Sequence, residues 1–118
     1  GAGELIAGGE LSGGNQQKAV IAREIDRDPE LLIVSQPTRG LDVGAIEYIR
    51  KRIIAERDKG KAVIVVSFEL DEILDMSDRI AVIYDGAIQG ILDPVKTNKQ
   101  DLGILMAGGQ LNKEEANV

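Results

Sequence analysis

Two short runs of consecutive apolar residues, rich in β-branched side chains, constrain the fold of this chain more than any other feature. Residues 31–34 and 62–66 contain only aliphatic side chains, and turn-forming residues flank both runs. Such runs are typical of strands buried on both faces, as in parallel sheets. Residues 44–59 between them carry isoleucines at helical spacing, and Gly60 then provides a left-handed helix cap. The sequence therefore predicts a strand–helix–strand unit.

Further elements complete an α/β fold, a mostly parallel β-sheet flanked by helices. Helices are predicted at residues 15–27, 69–75 and 98–107, with Ser67 as the N-cap of the second of these. Strands are predicted at residues 79–84 and 87–91, joined by Asp85 and Gly86. Asp-Gly between apolar runs is a strong signal for a tight hairpin, which we expect at one edge of the sheet.

Composition excludes several kinds of chemistry. The 118 residues contain no Cys and no His, which excludes disulfides, thiolate or imidazole metal sites and histidine-dependent triads. The net charge of −6 and the scarcity of aromatic residues argue against a nucleic-acid partner. The longest apolar run, residues 62–66, is far shorter than the roughly 20 residues that a membrane-spanning helix needs. We expect no metal-binding residues.

The glycine-rich segment at residues 11–18, LSGGNQQK, is the most informative for function. Ser12 stands where an N-cap belongs, and Gly13 and Gly14 leave the backbone N–H groups at the helix start open to an anion. Such a start can receive a phosphate group. The alternative is a serine-capped, glycine-rich helix start that binds no ligand.

Four ordered motifs decide between these interpretations. LSGGNQQK resembles the signature motif of ATP-binding cassette (ABC) ATPases, in the form typical of sugar and nucleoside importers. PELLIVSQPTRGLDVGA resembles the Walker B strand and D-loop of that family, and VIVVSFELDEIL resembles its switch region. SDRIAVIYDGAIQG resembles its late β-hairpin, and LMAGG follows as in nucleoside-type importer ATPases. The resemblance extends over residues 11–109.

The resemblance implies a partial P-loop NTPase fold. The phosphate-binding loop G-x-x-x-x-G-K-[ST] does not occur, because Ala55 stands where the first glycine before Gly60-Lys61 belongs. We therefore expect residues 11–109 to be the C-terminal part of a nucleotide-binding domain, the second of two in its polypeptide. Residues 1–10 would be a loose lead-in or an artificial start, since the first residue is Gly1 and not Met. Residues 110–118 would form a polar tail.

The resemblance also implies roles for individual residues. In the family, two domains meet head to tail, and the signature of one covers the γ-phosphate of ATP held by the other. Ser12, Gly13, Gly14 and Asn15 would therefore bind the ATP of a partner domain. Asp42 matches the D-loop aspartate, which contacts the partner. A role of Asp42 as N-cap of the following helix is equally expected and is compatible with the first.

Three positions depart from the family pattern. Ser35 and Gln36 stand where the Walker B strand ends in Asp-Glu, and Phe68 stands where the switch histidine belongs. A serine offers Mg²⁺ no carboxylate, and a glutamine cannot accept the proton of an attacking water. We interpret the chain's own nucleotide site as catalytically degenerate. The alternative is neutral loop variation at Ser35 and Gln36.

These interpretations together predict a part of the energy-coupling subunit of an ABC importer for nucleosides or simple sugars. ATP and Mg²⁺ would act in the full-length dimer, with no cofactor for the segment alone, which we expect to be inactive. The expected partners are a second nucleotide-binding domain, transmembrane permease subunits and, indirectly, a solute-binding protein. The expected location is peripheral, on the cytoplasmic face of the cell membrane. The alternatives are an ABC ATPase of DNA repair or chromosome maintenance, and a non-hydrolytic regulatory domain.

Overall fold

A computed structural model describes residues 13–111 in two compact units, which divide between Ser67 and Phe68. The first unit contains α1 (Gly13–Asp26), β1 (Leu31–Ser35), α2 (Val43–Asp58) and β2 (Ala62–Val66). The second contains α3 (Leu70–Met76), β3 (Ile80–Tyr84), β4 (Ala87–Leu92), a 3₁₀ turn (Pro94–Lys96) and α4 (Lys99–Met106). The element types and their order agree with the sequence-based prediction.

The first unit is the predicted strand–helix–strand unit. β1 pairs with β2 in parallel, from Leu31 opposite Ala62 to Ser35 opposite Val66, and α2 connects the two strands. The core of this unit consists of buried aliphatic side chains from α1, β1 and α2: Ile21 and Ile25 of α1, Leu32 and Val34 of β1, and Ala45, Ile49 and Ile53 of α2. The α/β fold class, with a parallel strand pair and an antiparallel hairpin, is confirmed.

The prediction that both apolar strands are buried on both faces is wrong for the described residues. Side chains alternate along β1, and Leu31 and Ile33 are 48% and 59% exposed. Ile64 and Val66 of β2 are each 49% exposed. The helices of this unit cover one face of the pair, so the opposite aliphatic face lies open within the part of the chain that the structure describes.

The C-terminus of α2 confirms Gly60 as a left-handed cap. Gly60 has φ +89°, its N–H donates to Arg57 O at 2.9 Å, and the Lys61 N–H donates to Glu56 O at 3.2 Å. These two bonds are those of a Schellman motif, which pairs carbonyls that the helix leaves open. The chain then enters β2 directly.

A charge pair connects the residues after α1 to the start of β2. The Lys61 ammonium donates to the carboxylate of Asp28 and, at 3.1 Å, to Pro29 O. The hydrogen bond from Lys61 and its positive charge lower the pKa of the Asp28 carboxyl below its ordinary value of 3.8. Asp28 itself adopts φ +53°, a conformation that aspartate tolerates better than most residues.

The second unit is an antiparallel hairpin packed with two helices. Asp85 and Gly86 both have positive φ, 50° and 76°, as a two-residue type I′ turn requires. The predicted hairpin is thus confirmed, but it forms a two-stranded sheet of its own and not the expected edge of the parallel sheet, because neither of its strands pairs with β1 or β2 among the described residues. Its register is irregular between Val82 and Ile83, which the sequence did not indicate. Its core contains Ile80 and Val82 of β3 and Leu102 and Leu105 of α4.

The predicted N-cap of α3 is wrong. The helix begins at Leu70, so Glu69 rather than Ser67 occupies the N-cap position, and the Glu69 side chain makes no capping bond. Ser67 lies three residues before the first helical residue, because a bend at Phe68 and an extended Glu69 precede the helix. Among the helices in residues 13–111, none is long and apolar enough to cross a bilayer.

Candidate functional site

The first turn of α1 carries the glycine-rich segment. Gly13 is the first residue of the helix, and Gly14 and Asn15 follow in the same turn. Gly13 and Asn15 are exposed. Ser12, the expected N-cap, lies outside the described residues. This turn therefore lies at the surface of the unit.

Among the described residues, a Cβ atom at Gly13 would meet the Leu41 side chain, with Cδ2 at 3.7 Å. That distance is an ordinary van der Waals contact, and Gly13 does not adopt a positive φ that would favour glycine. Neither packing within the described residues nor backbone geometry therefore demands glycine here. A requirement for close approach by something from outside would explain its presence.

The carboxyl end of β1 places Ser35 and Gln36 at one edge of the parallel pair. Ser35 is the last residue of β1, lies opposite Val66 and is exposed. The Gln36 N–H continues the ladder by donating to Val66 O at 2.7 Å, and Gln36 then adopts φ +48°. A left-handed conformation is uncommon for glutamine and carries local strain, which often marks functional positions. Ligands of open α/β sheets bind at this end of the strands.

Asp42 ends the loop that follows and caps α2. Its carboxylate Oδ1 accepts the Ala45 N–H at 2.8 Å. The expected N-cap role is therefore confirmed, while a contact to a partner domain stays a prediction. The other carboxylate oxygen is not needed for this bond, so the two roles do not compete for the same atom.

A contact that the sequence analysis did not assign joins α1 to this loop. Gln17 Nε2 donates to the carbonyl oxygen of Pro37 at 3.0 Å, across twenty residues of sequence. Pro37 is among the fully buried residues. Gln17 belongs to the quoted LSGGNQQK motif, but nothing in its neighbours along the chain indicates a partner near Pro37, because the contact exists only in the folded unit.

A second polar contact joins α1 to α2. The Lys18 ammonium lies 4.9 Å from the centre of the Tyr48 ring. The Arg52 guanidinium lies 5.9 Å from the same ring and donates to the Tyr48 hydroxyl at 3.1 Å. Cations held over an aromatic face stabilise such contacts modestly at exposed sites. Tyr48 thus helps to hold the glycine-bearing helix against α2.

Phe68 is the first residue of the second unit and is 71% exposed. The structure brings Gly13, the loop of residues 36–42 and Ser35 together in the first unit, and it leaves Phe68 to the second. Among the described residues, no group of three or more acidic side chains is placed to hold a metal ion.

Three curated relatives cover most of this chain. The nucleoside import ATP-binding protein NupA of Lactococcus lactis is 74% identical over 96% of the chain. The guanosine import ATP-binding protein NupO of Bacillus subtilis is 64% identical over 83% of it. A ribose import ATP-binding protein, RbsA of Bacillus cereus, is 47% identical over 85%. Among solved structures, a dimeric ATP-binding cassette bound to ADP and Pi is 30% identical, with a TM-score of 0.66 over 74% of the chain.

The chain belongs to the ABC ATPases. The resemblance of the four motifs is thereby confirmed at the level of the family. No profile of a protein family matches the sequence. The matched part of this chain spans about a fifth of the length of each curated relative: 22% of NupA, 19% of NupO and 20% of RbsA. It spans 38% of the length of the solved cassette.

Proposed function

We propose that this chain is part of the ATP-binding, energy-coupling subunit of an ABC importer and acts within a longer polypeptide. Residues 11–109 would form the C-terminal part of one nucleotide-binding domain, with residues 1–10 before it and residues 110–118 as a tail. The observation that carries the proposal is the 74% identity to a nucleoside import ATP-binding protein over nearly the whole chain. Its location would be the cytoplasmic face of the membrane, beside permease subunits.

Nucleosides are the better candidate for the imported solute. Identity falls from 74% and 64% for the two relatives named for nucleoside and guanosine import to 47% for the ribose importer. The chain's own residues do not contact a solute in this proposal. The preference for nucleosides over sugars thus rests on relatedness alone, and uptake assays of the whole transporter test it.

The signature turn would bind ATP held by a second cassette. Gly13, Gly14 and Asn15 lie in the first turn of α1, where amide donors and the positive end of the helix dipole favour a terminal phosphate. Ser12 would add its hydroxyl as a further donor. The solved cassette that this chain resembles is a dimer, which supports a head-to-tail partner. ATP and Mg²⁺ would be used by this dimer.

The chain's own site would be degenerate. Ser35 ends β1 and Gln36 follows it, neither with a carboxylate, and Phe68 follows β2 in place of a histidine. Gln36 can orient a water molecule, but it cannot accept its proton, and a general base contributes about 10²–10⁴-fold to such reactions. One competent and one impaired site would then make the cassette pair asymmetric.

Substitution of Ser12 in the intact transporter tests the role in trans. Ser12→Arg should lower ATP hydrolysis on the order of 100-fold or more, because the side chain fills the space of the partner's γ-phosphate and removes a donor. Ala19→Arg adds the same side chain at an exposed position of α1 and should leave hydrolysis near wild type. Equal turnover of Ser12→Arg and wild type would refute the proposed role.

The two alternative functions make different predictions for the same preparation. A DNA-repair or chromosome ATPase would hydrolyse ATP without permease subunits and would respond to DNA, which the import proposal does not predict. The net charge of −6 and the names of the relatives favour import. A purely regulatory domain would show no hydrolysis in any variant.

A further inference from the structure

Gln17 connects the signature helix to the loop that ends in Asp42. Its amide Nε2 donates to Pro37 O at 3.0 Å, from the second turn of α1 to the residue that directly follows Gln36. One turn earlier, Cδ2 of Leu41 lies 3.7 Å from the position that a Cβ on Gly13 would take. Helix α1 is therefore joined to the loop by one hydrogen bond, and its first turn lies beside the same loop.

The loop of residues 36–42 also contains backbone hydrogen bonds of its own. Within it, the Arg39 N–H donates to Gln36 O at 3.3 Å and the Leu41 N–H donates to Thr38 O at 3.2 Å, which are long bonds for a backbone turn. Pro37 and Thr38 are buried, and a buried carbonyl needs a hydrogen-bond partner. Gln17 supplies that partner for Pro37 from another element.

The two ends of this loop lie at the chain's own nucleotide site and at the expected partner contact of the proposed function. The loop begins at Gln36, whose left-handed conformation needs support from its surroundings, and ends at Asp42, which caps α2. A displacement of Pro37 would move both ends. Gln17, the α1 end of the contact, lies one turn after Gly13 and Gly14. A displacement of Pro37 would therefore also change the position of the signature turn.

We propose that Gln17 is a positioning residue that makes the signature turn and the loop of residues 36–42 a single mechanical unit. This inference rests on the proposed function. Gln17 touches no nucleotide itself and acts through Gly13, Gly14 and Asp42. When a partner cassette closes on the signature turn, the hydrogen bond to Pro37 O transmits the displacement of this turn to the loop at the chain's own site. The same bond transmits a displacement of the loop to the signature turn.

Three variants of the intact transporter separate the hydrogen bond from the shape of the side chain. Gln17→Met keeps the length but removes the donor, and Gln17→Glu keeps the shape but offers only acceptors. Gln17→Lys restores a donor that can reach a carbonyl. Gln100→Met makes the same chemical change as the first variant at an exposed position of α4 and serves as the control.

Steady-state hydrolysis should separate positioning from binding. We expect kcat to fall about tenfold in Gln17→Met and Gln17→Glu, with KM for ATP changed less than about twofold, because misplaced groups slow the step without altering nucleotide binding. Gln17→Lys should regain most of the wild-type kcat, and Gln100→Met should match wild type. An unchanged kcat in Gln17→Met, or no rescue by Gln17→Lys, would overturn the inference.

Hydrogen exchange of the nucleotide-free protein tests the contact independently of catalysis. The amides of Arg39 and Leu41 should exchange about tenfold faster in Gln17→Met and Gln17→Glu than in wild type or in Gln100→Met, because the loop opens more often. Unchanged exchange would reject the contact itself. Failure of the Ser12→Arg test would instead reject the proposed function, and the exchange result would not depend on it.

Discussion

Asp42 stands at a position where one side chain can stabilise a helix and also face a partner. Its carboxylate accepts the Ala45 N–H at 2.8 Å, which pairs one of the open amides at the start of α2. The D-loop role that the family resemblance implies needs the negative charge instead. These two requirements can be separated by substitution, since serine caps helices well but carries no charge.

Asp42→Ala should destabilise α2 by about 1 kcal/mol, because the N-cap acceptor is lost. Asp42→Ser should retain most of that stability, since its hydroxyl oxygen accepts the same amide. Hydrogen exchange at the first turn of α2 measures the stability, and ATP hydrolysis by the intact transporter measures the partner contact. Wild-type hydrolysis in Asp42→Ser would mean that the carboxylate has no role beyond capping.

Gln36 offers a second test at the scale of a residue. Gln36→Ala should change ATP hydrolysis by the intact transporter less than about twofold, because glutamine supplies no general base that could be lost. Alanine and glutamine both carry a Cβ, so the strain of the left-handed backbone at φ +48° is retained in the variant. A collapse of hydrolysis would show that Gln36 is used in catalysis.

At the scale of elements, the helix ends depend on glycines in conformations that other residues rarely adopt. Gly60 follows α2 with φ +89°, and Gly108 follows α4 with φ +85°. In both cases the two bonds of a Schellman motif close the helix, with Gly109 N donating to Ile104 O at 2.8 Å in the second. Gly103 differs, since it lies inside α4 and no described atom lies within 4 Å of a Cβ added there.

Two glycine-to-alanine substitutions should therefore have effects of opposite sign. Gly60→Ala should lower the stability of the α2 C-terminus by about 1 kcal/mol, from backbone strain alone, because nothing lies within 4 Å of the added Cβ. Gly103→Ala should raise the stability of α4 by about 0.5–1 kcal/mol, since alanine favours helix. Native-state hydrogen exchange of the two helices gives both values. Effects of the same sign would contradict this account of the caps.

The charge pair between Asp28 and Lys61 should make a pH-dependent contribution to stability. A carboxyl whose pKa is lowered in the folded state stabilises that state above its unfolded pKa, and the effect disappears as the pH falls through the folded value. Lys61→Met should therefore be less stable than wild type near neutral pH, by a small amount because Asp28 is exposed. The difference should shrink at a pH well below 3.8, as urea unfolding at both pH values can measure.

At the scale of the whole molecule, the open face of β1 and β2 is the largest departure from what the sequence predicts. Parallel strands are normally covered on both faces. Here Leu31, Ile33, Ile64 and Val66 are about half exposed, while the chain spans 38% of the length of a solved cassette. In the proposed longer polypeptide, we expect residues outside the described range to cover that face.

The isolated chain should therefore bind a hydrophobic dye and self-associate, since exposed apolar patches promote association. Ile33→Lys should reduce both effects in the isolated chain, because Ile33 is 59% exposed there. The same substitution should destabilise the longer polypeptide, where the lysine charge would be buried. A variant that leaves dye binding by the isolated chain unchanged, or that is tolerated in the longer polypeptide, would count against a covered face.

The sequence alone determined the features that depend on neighbouring residues. The helices and strands, the Asp85-Gly86 turn, the Gly60 cap and the Asp42 N-cap follow from local spacing and backbone preference, and the four motifs were sufficient for the family. The tertiary structure decided which strand faces are covered, that α3 begins at Leu70, and that Gln17 pairs with Pro37. Those features depend on contacts between distant segments, whose geometry local preference does not encode.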